Sequence, residues 1–176
     1  MIFSEPDLSV VDAVIVKKGN PLDIHSFDDI IANPDFILAG GRGTLNTQHA
    51  LQAGVPEDRV MQVPSGQESL SAVLAGRAHG SVMSAPTAMM LLKDPKLSDL
   101  ERAAPFTGLL LADDTPDAMA TAIAFRPDDT ELRDAYDRRL AEMKEVGAVK
   151  EIMQRYGFSE EDSAPERSTE ALCAGN

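Results

Sequence analysis

Gly41-Arg42-Gly43-Thr44 follows a short apolar run, Phe36 to Ala39, and opens a helix-like pattern from Thr44 to Ala53. A strand, a tight turn and a helix start in that order aim backbone N–H groups, and the positive end of a helix dipole, at one point where an anion is stabilised. A P-loop needs a lysine after its glycines, and a dinucleotide fingerprint needs a third glycine. No lysine follows this turn, and Asn46 stands where the third glycine would be. A phosphate is therefore disfavoured, and two readings stay open. The Thr44 hydroxyl and the first-turn N–H groups suit a carboxylate; alternatively the glycines only tighten a β–α turn and Thr44 only caps its helix.

Covalent and metal chemistry find less support. Ser84 ends a strand-like run before Ala85-Pro86-Thr87, with no histidine placed in sequence to activate it. It reads as a polar group at the carboxyl end of a strand, where open α/β sheets take ligands. Cys173 is the one cysteine and lies in a polar tail, so neither a disulfide within the chain nor a Cys–His pair is expected. His25, His49 and His79 lack the spacing of metal ligands. Asp113-Asp114 and Asp128-Asp129 read as solvated or capping carboxylates, and Met83, Met89 and Met90 as core filler. No catalytic residue, metal ligand set or cofactor emerges, and a non-enzyme is expected.

The elements that must hold these residues are legible in outline. The chain has 176 residues, 43% of them hydrophobic, with a net charge of −13. That is enough to bury a core, and too acidic for nucleic acid or an anionic membrane surface as partner. No apolar run approaches the ~18 residues of a membrane span. The first residues, MIFSEPDLS, lack the basic and apolar regions of a signal peptide. On that ground the chain is expected either to stay where it is made or to have a start further upstream.

Ser9 to Lys17 is β-branched and reads as a strand. Ser26, three residues before Asp29, opens a helix from Phe27 to Ala32, which Asn33-Pro34 closes. Three strand–helix units follow: Phe36–Ala39 with Thr44–Ala53, Val60–Val63 with a helix closing at Gly76, and Ser81–Met83 with Pro86–Leu92. Such alternation predicts an α/β fold with parallel strands. Residues 97–116 read as irregular, and Met119 to Phe125 as a further strand. A long helix capped by Asp128 or Asp129 carries Leu132, Tyr136, Leu140 and Met143 on one face; Gly147 breaks it, and a second helix runs to Tyr156. If the strands at 9–17 and 119–125 pair, they form the two-stranded connection through which the chain enters and leaves the α/β block.

Several stretches together resemble one known family. Phe3-Ser4-Glu5-Pro6 resembles the F-S-x-P-Y stretch of the family 3 solute-binding proteins of ABC importers, with Asp7 in place of the tyrosine. The strand ending VKKGNP resembles their first inter-lobe connection, and GRGTLNTQHAL their ligand turn. Gly76-Arg77-Ala78-His79-Gly80 resembles their G-R-V-D-A, and residues 119–158 their return connection and closing helices. AGVPEDRVMQVPSGQESL and the tail STEALCAGN are most similar to the ectoine/hydroxyectoine-binding branch.

The resemblance implies a periplasmic-binding-protein-like lobe, with a mostly parallel sheet flanked by helices, plus C-terminal helices of a truncated first lobe. It divides the chain into a first-lobe remnant and connecting strand at 1–17, a second α/β lobe at 18–117, and a return strand, first-lobe helices and polar tail at 118–176. It implies a two-lobed clamp that closes on its ligand. The implied function is that of the extracytoplasmic, periplasmic solute-binding component of an ABC importer. Its ligand would be a small zwitterionic carboxylate, either ectoine, hydroxyectoine or a polar amino acid, and its partner a membrane permease. Arg42, Gly43, Thr44, Leu45 and Ser84 are the implied ligand-binding residues. Ser84 stands where amino-acid binders carry an aspartate for the α-ammonium. That suits a cation of spread charge, such as a cyclic amidinium, held by aromatic faces. The alternatives are a cyclohexadienyl-dehydratase-like enzyme on the same fold and the sensing domain of a regulator. An uncovered stripe at Leu132, Tyr136, Leu140 and Met143 would favour a homodimer.

Overall fold

A computed structural model describes residues 1–112, 114–158 and 162–174. Of the carboxylates singled out above, Asp113 lies outside the described residues. The chain forms two compact units, Val11–Asp117 and Met1–Val10 with Ala118–Asn176. Two short strands come first, β1 (Ile2–Phe3) and β2 (Leu8–Val10). The first unit then holds β3 (Asp12–Lys17), α1 (Phe27–Ala32), β4 (Leu38–Gly41), α2 (Leu45–Gln52), β5 (Val60–Val63), α3 (Gly66–Leu74), β6 (Gly80–Ser84), α4 (Ala85–Leu91) and β7 (Leu100–Arg102).

These five strands make one sheet in the order β5-β4-β6-β3-β7. β4 runs parallel to β5 and β6, while β3 is antiparallel to β6 and β7. Both faces are covered, so β3 reads as a continuous apolar run rather than an alternation. Val14 and Val16 point into a cluster with Phe27, Ile30, Phe36 and Leu38; Ala13 and Ile15 join Leu70, Val73 and Met83 on the other face. Each of these side chains larger than alanine, fully buried, contributes about 1.5–3 kcal/mol. Gly80 permits the close packing: a Cβ there would lie 2.9 Å from Phe36 and 3.0 Å from Val14.

Several boundaries differ from the sequence reading. The strand expected at 9–17 is two strands, because at Val11 the chain changes partners. Val10 pairs with Met119, whereas the Val11 carbonyl accepts from Ala85 N–H and Asp12 pairs with Ser84. The strand expected at 36–39 begins at Leu38 and runs to Gly41, in register with Val60–Val63. Residues 97–116 are not wholly irregular: Leu100–Arg102 pairs with the outer edge of β3, although Leu-Glu-Arg carries neither alternation nor β-branching. Met90 is 67% exposed and is not core filler, while Met83 is buried.

The second unit contains β8 (Met119–Thr121), β9 (Ala124–Phe125), α5 (Thr130–Glu145), α6 (Ala148–Arg155) and α7 (Thr169–Cys173). β2 pairs with β8 and β1 with β9, both antiparallel. The strand expected at 119–125 is thus interrupted. At the break the Ser4 backbone N–H donates to the Ile123 carbonyl, and Ile123 N–H donates to the Ser4 hydroxyl. Gly147, at φ 75°, separates α5 from α6. The stripe on α5 is not uncovered as a whole. Leu140 is buried, and Tyr136 lies against Phe125 with ring centroids 5.8 Å apart; Leu132 is 60% exposed. Among the described residues, 24 buried hydrophobic side chains belong to the first unit and only Leu140 and Met153 to the second.

Candidate functional site

β4 and β6 are neighbouring parallel strands, so the turns leaving them open at the same end of the sheet. The turn after β4 holds Arg42, Gly43, Thr44 and Leu45; Ser84 ends β6. The first unit therefore brings the sequence-singled residues to one sheet end.

The turn is built by hydroxyls. Gly43 adopts φ 71°, which only glycine takes without strain. Thr44 caps α2: its hydroxyl accepts from Thr47 N–H and lies 2.9 Å from both the Gly41 carbonyl and the Thr47 hydroxyl. The Thr47 hydroxyl also donates to the Gly41 carbonyl, at 2.9 Å. Gly40 makes room for this cluster, since a Cβ there would come within 2.3 Å of Thr47 Oγ1. Thr44 is exposed, and its hydroxyl is engaged with Gly41 and Thr47. The turn also leaves backbone groups unpaired. Thr44 N–H donates to the Gly41 carbonyl, but the N–H groups of Gly43, Leu45 and Asn46 have no partner among the described residues. Unpaired N–H donors at a helix start suit a carboxylate. Arg42 is exposed and makes no ion pair among the described residues. Ser84 caps α4, and its hydroxyl donates to Thr87 Oγ1 at 2.8 Å.

The sequence reading missed a buried cluster behind the turn. Asp12, 3% exposed, accepts from Asn46 Nδ2 at 2.6 Å and from His49 Nδ1 at 2.9 Å. His49 Nε2 lies 3.9 Å from Asp117 Oδ2. The available signal was one acidic residue inside Ser-Val-Val-Asp-Ala-Val-Ile-Val, since a buried charge demands partners. The other histidines are also engaged. His79 Nδ1 accepts from Ile37 N–H. His25 Nδ1 donates to the Pro105 carbonyl and Nε2 faces Asp23, and these two contacts raise its pKa, the carbonyl contributing most. No group of three or more His, Cys, Asp or Glu side chains among the described residues is placed to hold a metal ion.

No protein-family profile matches the chain. It is 30% identical over 176 residues to a probable amino-acid ABC transporter periplasmic-binding protein, y4tE, from Sinorhizobium fredii; the match covers 99% of this chain and 57% of that protein. It superposes on the crystal structure of EhuB in complex with hydroxyectoine with a TM-score of 0.68 and 35% identity, covering 99% of this chain and 65% of that one. An ancestral cationic amino acid solute-binding protein matches with a TM-score of 0.64 and 25% identity, over 88% of this chain and 61% of that one. Over nearly its whole length the chain is thus similar to periplasmic solute-binding proteins of ABC transporters, and it spans about three fifths of the length of those it matches.

Proposed function

We propose that the chain captures a small zwitterionic carboxylate at the turn Arg42–Leu45, and that it serves an ABC importer permease from the periplasmic side without being an enzyme. The observation that carries this reading is the set of unpartnered N–H groups at Gly43, Leu45 and Asn46, on a helix start that lacks a phosphate-binding lysine. The similarity to a hydroxyectoine-bound protein and to an amino-acid transport protein supports a zwitterion as the ligand class. Ser84, at the same sheet end, brings no charge for a compact ammonium, which favours ectoine or hydroxyectoine over an α-amino acid. Side chains left exposed in the second unit, Leu132, Ile152 and Tyr156, offer a surface for self-association, which light scattering would read.

Calorimetry tests the ligand class. Hydroxyectoine or glutamine should bind and ATP should not; binding of ATP with no response to either zwitterion would overturn the reading. In Ser84→Asp the preference should move toward glutamine by about 1–3 kcal/mol, the worth of one charge-assisted hydrogen bond.

A further inference from the structure

We propose that Asp12 is the positioning residue of the ligand turn. This rests on the reading of Gly43–Asn46 as the carboxylate site. α2 has eight residues, too few to hold as a helix unaided. Its buried residues are Asn46, Thr47, His49 and Ala50, three of the four polar. By contrast α3 buries Leu70, Ala72 and Val73 beside Ser69. α2 packs Ala50 and Leu51 on the apolar cluster of the first unit, and polar pegs fix it to the sheet in addition. Asn46 and His49 are three residues apart and so share one helix face, and both end on the two carboxyl oxygens of Asp12. Thr47 adds a peg to the Gly41 carbonyl. Gly108 closes the cluster from above, since a Cβ there would lie 2.8 Å from Asp12 Oδ2. Apolar packing tolerates small rotations of a helix about its axis, whereas two directional bonds to one carboxyl group do not. Asp12 thus sets the direction in which the free N–H groups of Gly43, Leu45 and Asn46 point.

Amide hydrogen exchange on the full chain tests this, using D12L and D12N. D12L leaves Asn46 and His49 buried without their acceptor. D12N keeps both bonds if the Asn46 amide turns over, because the introduced carboxamide then donates to Asn46 and accepts from His49. In D12L, exchange at Gln48–Gln52 should rise roughly thirtyfold relative to α3, and in D12N by less than about threefold. Should D12L fail to fold, N46A removes one peg and should raise α2 exchange about tenfold. Unchanged α2 exchange, or an equal rise in α2 and α3, would overturn the proposal; the second result would make Asp12 a general core residue. A second arm follows the Leu45 amide shift on adding hydroxyectoine, which should be lost in D12L and kept in D12N. If the unaltered chain shows no such shift while the exchange result holds, the carboxylate reading fails and the anchoring of α2 by Asp12 stands.

Discussion

Leu45→Pro separates the backbone of the ligand turn from its side chains. Leu45 is the first helical residue of α2, the position where proline is tolerated best because its missing N–H has no intrahelical partner. The residue before it, Thr44, already has φ −78° and ψ 148°, the extended conformation that a following proline requires. The substitution therefore deletes one unpartnered donor and leaves the helix in place. Stability should change by less than about 1 kcal/mol, as read by urea denaturation. If the Leu45 N–H binds a ligand carboxylate, its loss costs about 1.5–3 kcal/mol, a fall in affinity of roughly 10- to 150-fold. Leu45 is 40% exposed, so Leu45→Ala, which keeps the N–H, is the control for lost side-chain contact. Calorimetry with hydroxyectoine on both variants gives the comparison. Equal affinity of the two, within about threefold, would refute a ligand role for this N–H. A loss of stability above ~3 kcal/mol in Leu45→Pro would show that the position is not the first turn of a helix.

Further outcomes follow from the same geometry. Gly40→Ala should destabilise the first unit by about 1–3 kcal/mol, because the new Cβ would sit 2.3 Å from Thr47 Oγ1; denaturation midpoints check this, and a neutral result would mean that Thr47 is not pegged over β4. His25 should titrate above its ordinary 6.5, since the Pro105 carbonyl and Asp23 both favour its protonated form. Its contribution to stability is then fully present below the unfolded value and is lost as pH rises through the raised folded one, and a midpoint at or below 6.5 in an NMR titration would contradict this. Backbone exchange should be fast throughout the unit in which, among the described residues, Leu140 and Met153 are the buried hydrophobic side chains, and slow in β3, β4 and β6; equal protection of the two would show that buried apolar side chains do not rank their stabilities.

Where local chemistry decides structure, the sequence was readable. Ser26 and Asp29 mark α1, and the Ser26 hydroxyl does accept from Asp29 N–H. Val60–Val63 is a strand at the bounds that its residues suggested, and Thr44 caps α2. Where partners lie far along the chain, the sequence was mute. Leu100–Arg102 becomes a strand only because β3 offers a free edge. The run from Ser9 to Lys17 divides because its two halves pair with β8 and β6, both far along the chain. The site shows the same limit. Thr44 was identifiable as a cap, but the bond between its hydroxyl and that of Thr47 depends on the room left by Gly40. Asp12 was visible as an acid in an apolar strand, while its partners Asn46 and His49 stand 34 and 37 residues away.

An NMR titration of the chain with hydroxyectoine tests the central claim most directly. The claim is that the turn after β4 holds a carboxylate by its backbone. Saturable shifts should appear at the Gly43, Leu45 and Asn46 amides, while ATP leaves them unmoved. Shifts confined to other parts of the chain, or a turn that answers ATP and ignores the zwitterion, would contradict it.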